Sequence, residues 1–223
     1  MTRVLAKDFL SCHGSAVPEP RPQDMDPEKP NWITDKKTFR ALAHPTRWQI
    51  LQQFDLEPTM TATRCSELTG ESVASCSYHL NTLSRYGFVE AAEGGTGREK
   101  PWRLVVVDRS WRAGGEGLDD EAAVAAVALS DVSLDHLAAH LKSWIRWRSR
   151  EEPQWLDATA VTETVAFVTA DELAELTADI RTLVHRYNDR VGDPSARPAG
   201  ARAAQVFAAT SLRRPPEVDR GDR

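Results

Sequence analysis

"ESVASCSYHLNTLSRYGFVEAAEGGTGREKPWRL", residues 71–104, decides what kind of fold this chain adopts. Ser72 is a good helix N-cap, because its hydroxyl can accept from a first-turn amide. Beyond it Cys76, Leu80 and Leu83 recur at spacings of four and three. That predicts a helix with one buried face, running to about Tyr86 and stopped by Gly87. "FVEAA" and "PWRLVVV" have strand length and apolar character on either side of "EGGTGREK". The pair predicts a hairpin with a glycine tip.

Upstream lie three shorter helical patterns. In "TDKKTFRALAHPTRWQILQQF" the residues Phe39, Leu42 and Ala43 mark a first helix over about 36–43. Pro45 ends it and opens a second, with Ile50, Leu51 and Phe54 inward. "TATRCSELTG" predicts a third, with Cys65 and Leu68 apolar and Gly70 closing it. Three helices, a turn, a longer helix and a hairpin make a winged helix-turn-helix over residues 31–112. Residues 1–30 include "VPEPRPQDMDPEKP", proline-rich and nearly devoid of apolar residues, and read as a disordered tail.

"WRAGGEGLDD" reads as a linker into a second, C-terminal domain over 113–212, and 213–223 as a solvated tail. Residues 120–150 are helical in pattern, with Leu134, Leu137, Leu141, Trp144 and Ile145 on one face. "TETVAFVT" (162–169) and "AQVFAAT" (204–210) predict two short strands. Between them Thr169 and Glu172 form a capping box for a helix bearing Leu173, Leu176, Ile180, Leu183 and Tyr187. That stripe suits either a helix-to-helix seam in a dimer or packing against the chain's own two strands. The expected fold class is α+β, mainly α: a winged helix-turn-helix, then a helical domain with two short strands.

Composition narrows the function. Net charge is −5, yet residues 31–112 carry 11 basic against 9 acidic groups and are the net-positive segment. Screening over about 10 Å lets such a local basic surface coexist with an acidic remainder. No apolar run reaches membrane-spanning length and no secretory signal is evident, so a cytoplasmic location is expected. Cys12, Cys65 and Cys76 form no CxxC pair, which points away from disulfides and cysteine-built zinc sites.

"LAHPTRWQIL", "CSELTGESVASCSYHLNTLSRYGFVE" and "GREKPWRL" resemble the ArsR-like winged-helix transcriptional regulators, in the branch with a "TSYHL"-type recognition helix. The resemblance spans about residues 34–106. It implies a homodimer on double-stranded DNA, with recognition helices in adjacent major grooves and wings on flanking backbone or minor groove. Metal-sensing members carry paired cysteines at the start of the third helix, where this chain has only Cys65.

Removing the core stripe from the fourth helix leaves a polar face. Ser72, Ala74, Ser75, Tyr78, Asn81, Thr82 and Arg85 lie on it, with Ser77 on its flank. Short hydroxyls let a helix sit close in a groove, and amides or guanidinium groups read base edges. Arg98 and Lys100 follow the glycine tip and can reach phosphates. These ten residues are the expected DNA contacts. Such a face is also compatible with plain solvation, and a basic hairpin with mere solubility. His79 is read as packing.

His136 and His140 are four apart near Asp131 and Asp135, a spacing able to hold zinc or nickel, but two histidines alone make a weak site and no metal or other cofactor is expected. Trp144, Trp147 and Trp155 can line a small-molecule pocket or fill a core. No nucleotide-binding glycine turn or catalytic triad signature occurs, so no enzyme is expected. The leading expectation is a sequence-specific DNA-binding regulator, homodimeric on an inverted repeat. The alternatives are a winged helix adapted to bind protein, or a regulator whose C-terminal domain senses a small molecule or metal.

Overall fold

The computed structural model describes residues 32–94, 100–105, 108–115 and 117–213. Helix α1 (Lys36–Leu42) starts at Asp35, whose carboxylate accepts from the amides of Lys37 at 3.1 Å and Thr38 at 2.6 Å. Helix α2 (Pro45–Phe54) opens with Pro45 in its first turn, where a missing N–H costs nothing. Helices α3 (Ala62–Thr69) and α4 (Val73–Arg85) are capped by the hydroxyls of Thr61 and Ser72. Strands β1 (Thr59–Met60), β2 (Val89–Ala91) and β3 (Trp102–Leu104) form an antiparallel sheet in the order β1-β3-β2. Trp102 sits opposite both Met60 and Ala91. In β3 Trp102 and Leu104 face the core while Arg103 faces out, as period-2 alternation requires.

Phe39, Leu42, Ile50, Leu51, Phe54, Cys65, Cys76, Leu80 and Leu83 are fully buried together. The helical spacings that predicted them hold at every one of these positions. The core then continues past residue 112. Helix α5 (Asp120–Trp147) contributes Ala122, Ala125, Ala126 and Leu129 to the same cluster. Small residues there let α5 lie close against α1. Lys36 and Arg40 of α1 also pair with Glu121 at 3.1 and 3.3 Å, exposed contacts of small energetic weight. By length and composition α5 could cross a membrane. One face of its first half is instead core, and Lys142 and Arg146 stand near its far end, with Arg148 and Arg150 in the turn after it.

The second half of α5 leaves the core. Leu137 is still buried, but Leu134, Leu141, Ile145 and Trp147 are exposed. Helices α6 (Pro153–Asp157), α7 (Ala170–Val184) and α8 (Asp189–Gly192) follow. The expected capping box of α7 is present, with Thr169 N–H donating to Glu172 at 2.7 Å and Glu172 N–H donating to Thr169 Oγ1 at 3.2 Å. Among its stripe, Leu173 and Ile180 are half-buried and Leu176, Leu183 and Tyr187 exposed.

The two strands expected at 162–169 and 204–210 do not form. Their apolar residues suit a strand, but a strand also needs a neighbour for its N–H and C=O groups. Among the described residues neither segment has one, and Phe167 is fully exposed. The sheet of this molecule lies elsewhere, in the wing. Among the described residues the α7 stripe therefore has no sheet to pack on.

Helix α7 is held to the winged helix by polar contacts. Arg181 reaches Asp108 at 3.2 Å and His185 lies 3.4 Å from the same carboxylate. Trp32 stacks between the guanidinium groups of Arg112 at 4.5 Å and Arg181 at 4.3 Å.

Candidate nucleic-acid interface

The turn between α3 and α4 is built by hydroxyls and one glycine. Gly70 ends α3 at φ 77°, a conformation that favours a residue without Cβ. Thr69 Oγ1 donates to Cys65 O at 2.7 Å, and Ser66 Oγ donates to Glu71 O at 2.6 Å. Thr46 Oγ1 donates to Glu71 at 3.3 Å, so α2 grips the same turn. These bonds fix the angle at which α4 leaves the domain.

Helix α4 buries Cys76, His79, Leu80, Thr82 and Leu83. Ser72, Ala74, Tyr78, Asn81 and Arg85 are exposed, and Ser75 and Ser77 half-buried. Tyr78 stands out from the helix at 66% exposure. The amide of Asn81 donates to Ser77 O at 2.8 Å. Ser72 is engaged as a cap, accepting from Ser75 N–H at 3.1 Å, and retains its own proton to donate.

Thr82 corrects the expected face. It is 8% exposed, and its hydroxyl donates to Tyr78 O at 3.0 Å. At about 100° per residue it lies about 60° from His79, inside the buried arc of the helix. A stripe drawn through the leucines alone was too narrow to include it.

His79 is buried, as expected, and meets His44 with ring centroids 4.6 Å apart. Burial holds both imidazoles below their ordinary pKa, followed for His79 by the neighbouring His44 and Arg47. Both are therefore neutral packing groups at neutral pH, and among the described residues the buried Nδ1 atom of each has no hydrogen-bond partner. Arg47 on α2 was missed by sequence reading. Its Nη2 donates to Arg40 O at 3.1 Å, and burial pulls its guanidinium below the usual value. Nothing in its spacing separated it from an ordinary surface arginine.

In the wing, Lys100 is exposed with its ammonium 4.0 Å over the Trp102 ring. Arg103 pairs with Glu90 across the strands. Arg98 lies outside the described residues. His136 is half-buried and His140 exposed on α5, and among the described residues no third metal-ligating side chain joins them. Cys65 and Cys76 are free and buried, and burial pushes the Cys65 thiol up to about 12. A thiol so held is a poor metal ligand, since the thiolate is the ligand.

Residues 42–91, from the end of α1 to the end of β2, match the family model described as a helix-turn-helix domain. This segment is a helix-turn-helix domain. A curated relative, the "Probable mercury resistance operon repressor" of Streptomyces lividans, is 42% identical over 62 residues. The match takes in 28% of this chain and 49% of that protein, so the chain spans about half the length of the relative. Two crystal structures of the heme sensor protein PefR also align at 16% identity. One, from Streptococcus agalactiae with heme, covers 67% of this chain and 79% of that one; the other, with heme and carbon monoxide, covers 70% and 84%. Both have a TM-score of 0.27, too low to bear on the architecture of the helix-turn-helix domain or of α5–α8.

Proposed function

We propose that the protein is a sequence-specific transcriptional regulator of the ArsR-like kind, acting as a homodimer on an inverted-repeat operator. The observation that carries this reading is the exposed face of α4. Ala74, Tyr78, Asn81 and Arg85 project, with half-buried Ser77 on the flank, from a helix whose exit angle is set by three side-chain hydrogen bonds and the turn at Gly70. Lys100 stands in the adjoining wing. Small residues on that face let the helix approach the major-groove floor, Tyr78, Asn81 and Arg85 read base edges, and Lys100 with Arg98 neutralises flanking phosphates.

One such domain spans half an operator, and two-fold pairing sets the reading helices about 34–36 Å apart. The exposed apolar residues of α5 and α7 support a dimer built by the C-terminal half, since among the described residues no intrachain sheet covers the α7 stripe. Residues 113–212 serve assembly in this reading, with room for an effector. The deep burial of Cys65 and Cys76 supports control by something other than metal on those thiols.

Selection of bound sequences from a random DNA pool tests the proposal. The expected product is an inverted repeat with half-sites one helical turn apart. Recovery of no consensus, with binding that disappears uniformly as salt rises, rejects sequence-specific regulation.

A further inference from the structure

Two charged apolar faces stand apart in the C-terminal half. The end of α5 and the turn after it present Lys142, Arg146, Arg148 and Arg150, interleaved with exposed Leu141, Ile145 and Trp147. The first three turns of α7 present Asp171, Glu172, Glu175 and Asp179 beside exposed Leu176, and Val165, Phe167 and Val168 lead into them. Four positive charges thus answer four negative ones. Among the described residues none of these eight side chains makes an ion pair, and α5 and α7 share no extensive contact within the chain.

We propose that the basic end of α5 in one copy docks on the acidic face of α7 in a second copy, and reciprocally. The inference rests on the homodimer reading and assigns its contacts. A two-fold operation brings surface i of one chain to surface j of the other and j to i. Pairing unlike faces therefore uses both patches of both chains and leaves neither apolar face in water. Pairing α5 with α5, or α7 with α7, would oppose four like charges at close range, within one screening length of about 10 Å. The interleaved Leu141, Ile145 and Trp147 add apolar area to that contact.

Reversal of charge on one face at a time tests this. One chain carries Lys142→Glu with Arg146→Glu, the other Glu175→Lys with Asp179→Lys. All four positions are exposed and none is a cap, and circular dichroism checks that each chain keeps its helices. Each variant alone should self-associate about tenfold or more weakly than the unaltered chain by sedimentation equilibrium, because like charges then face each other twice. An equimolar mixture should recover a heterodimer, seen by native mass spectrometry, since every contact in it is again attractive.

Variants that dimerise as tightly as the unaltered chain overturn the pairing. So does a mixture that stays monomeric while the four changes in one chain restore self-association, which places the two faces together inside a chain. If a reversed chain loses its helices, Lys142→Gln with Arg146→Gln replaces it. The dimer should then weaken less with added salt than the unaltered one, and an unchanged salt response overturns the proposal. An unaltered chain that is monomeric at every concentration removes the homodimer reading itself, whatever the variants do.

Discussion

Asn81 and Tyr78 sit one turn apart in the middle of the exposed face of α4, and they differ in what they can do. The Asn81 amide is held by Ser77 O, whereas Tyr78 is 66% exposed and touches the His79 ring edge-on at 5.3 Å. Replacing either by Ala should cost roughly 1–3 kcal/mol at a selected operator and relax one base position. Competition binding against single-base variants checks it, and uniform weakening would assign both to the backbone. His79 has a different consequence. Its pKa and that of His44 are depressed in the fold, so the unfolded chain takes up protons first as pH falls. Stability is then full above the unfolded value of about 6.5 and declines as pH drops toward the folded values. Urea unfolding at pH 7.5, 6 and 5 should show this decline, with a shallower slope in His79→Gln. Legibility at this scale followed packing: residues flush with the leucine stripe were readable, while Thr82 and Arg47 depended on the neighbouring helix.

In the proposed function the wing acts through charge rather than shape. Lys100→Ala should weaken binding to all sequences about equally and flatten the log–log salt dependence by about 0.9 for one lost phosphate contact. An unchanged slope in filter or fluorescence titrations would take Lys100 off the DNA. As elements, α1 to α4, β2 and β3 were legible because each carries its own start, stop and periodicity: Asp35, Pro45, Gly70, Ser72 and Gly87. Strand β1 was not, since two residues are too short for any alternation to register. Residues 162–169 and 204–210 failed in the opposite sense. Val165, Phe167 and Phe207 carry the composition of a strand, but pairing is a property of a neighbour and composition does not reveal whether one exists.

For the whole molecule, α7 offers a direct test of assembly. Ile180 is half-buried on a stripe whose other members Leu176, Leu183 and Tyr187 are exposed. Ile180→Asp should give a chain that keeps its helical dichroism, sediments as a monomer and holds operator DNA only weakly through a half-site. A folded dimer of full affinity would place the seam elsewhere, and an unfolded product would return the stripe to an intrachain role. The sequence left those two roles open because a three-and-four spacing looks the same on either side of a dimer. The missing strands now favour the seam.

Helix α5 is fixed at one end and free at the other. Leu129 is its last fully buried residue, and Trp147 lies 18 residues on, about 27 Å away at 1.5 Å per residue. A tilt of about five degrees at the core end moves the tip by about 2 Å. The same ratio runs backwards: a displacement of about 2 Å at the tip corresponds to a turn of about five degrees at the core end. In the proposed homodimer, a molecule that wedged under the far end of α5 would act as a hand on a long lever, changing the separation of the two reading helices without touching either.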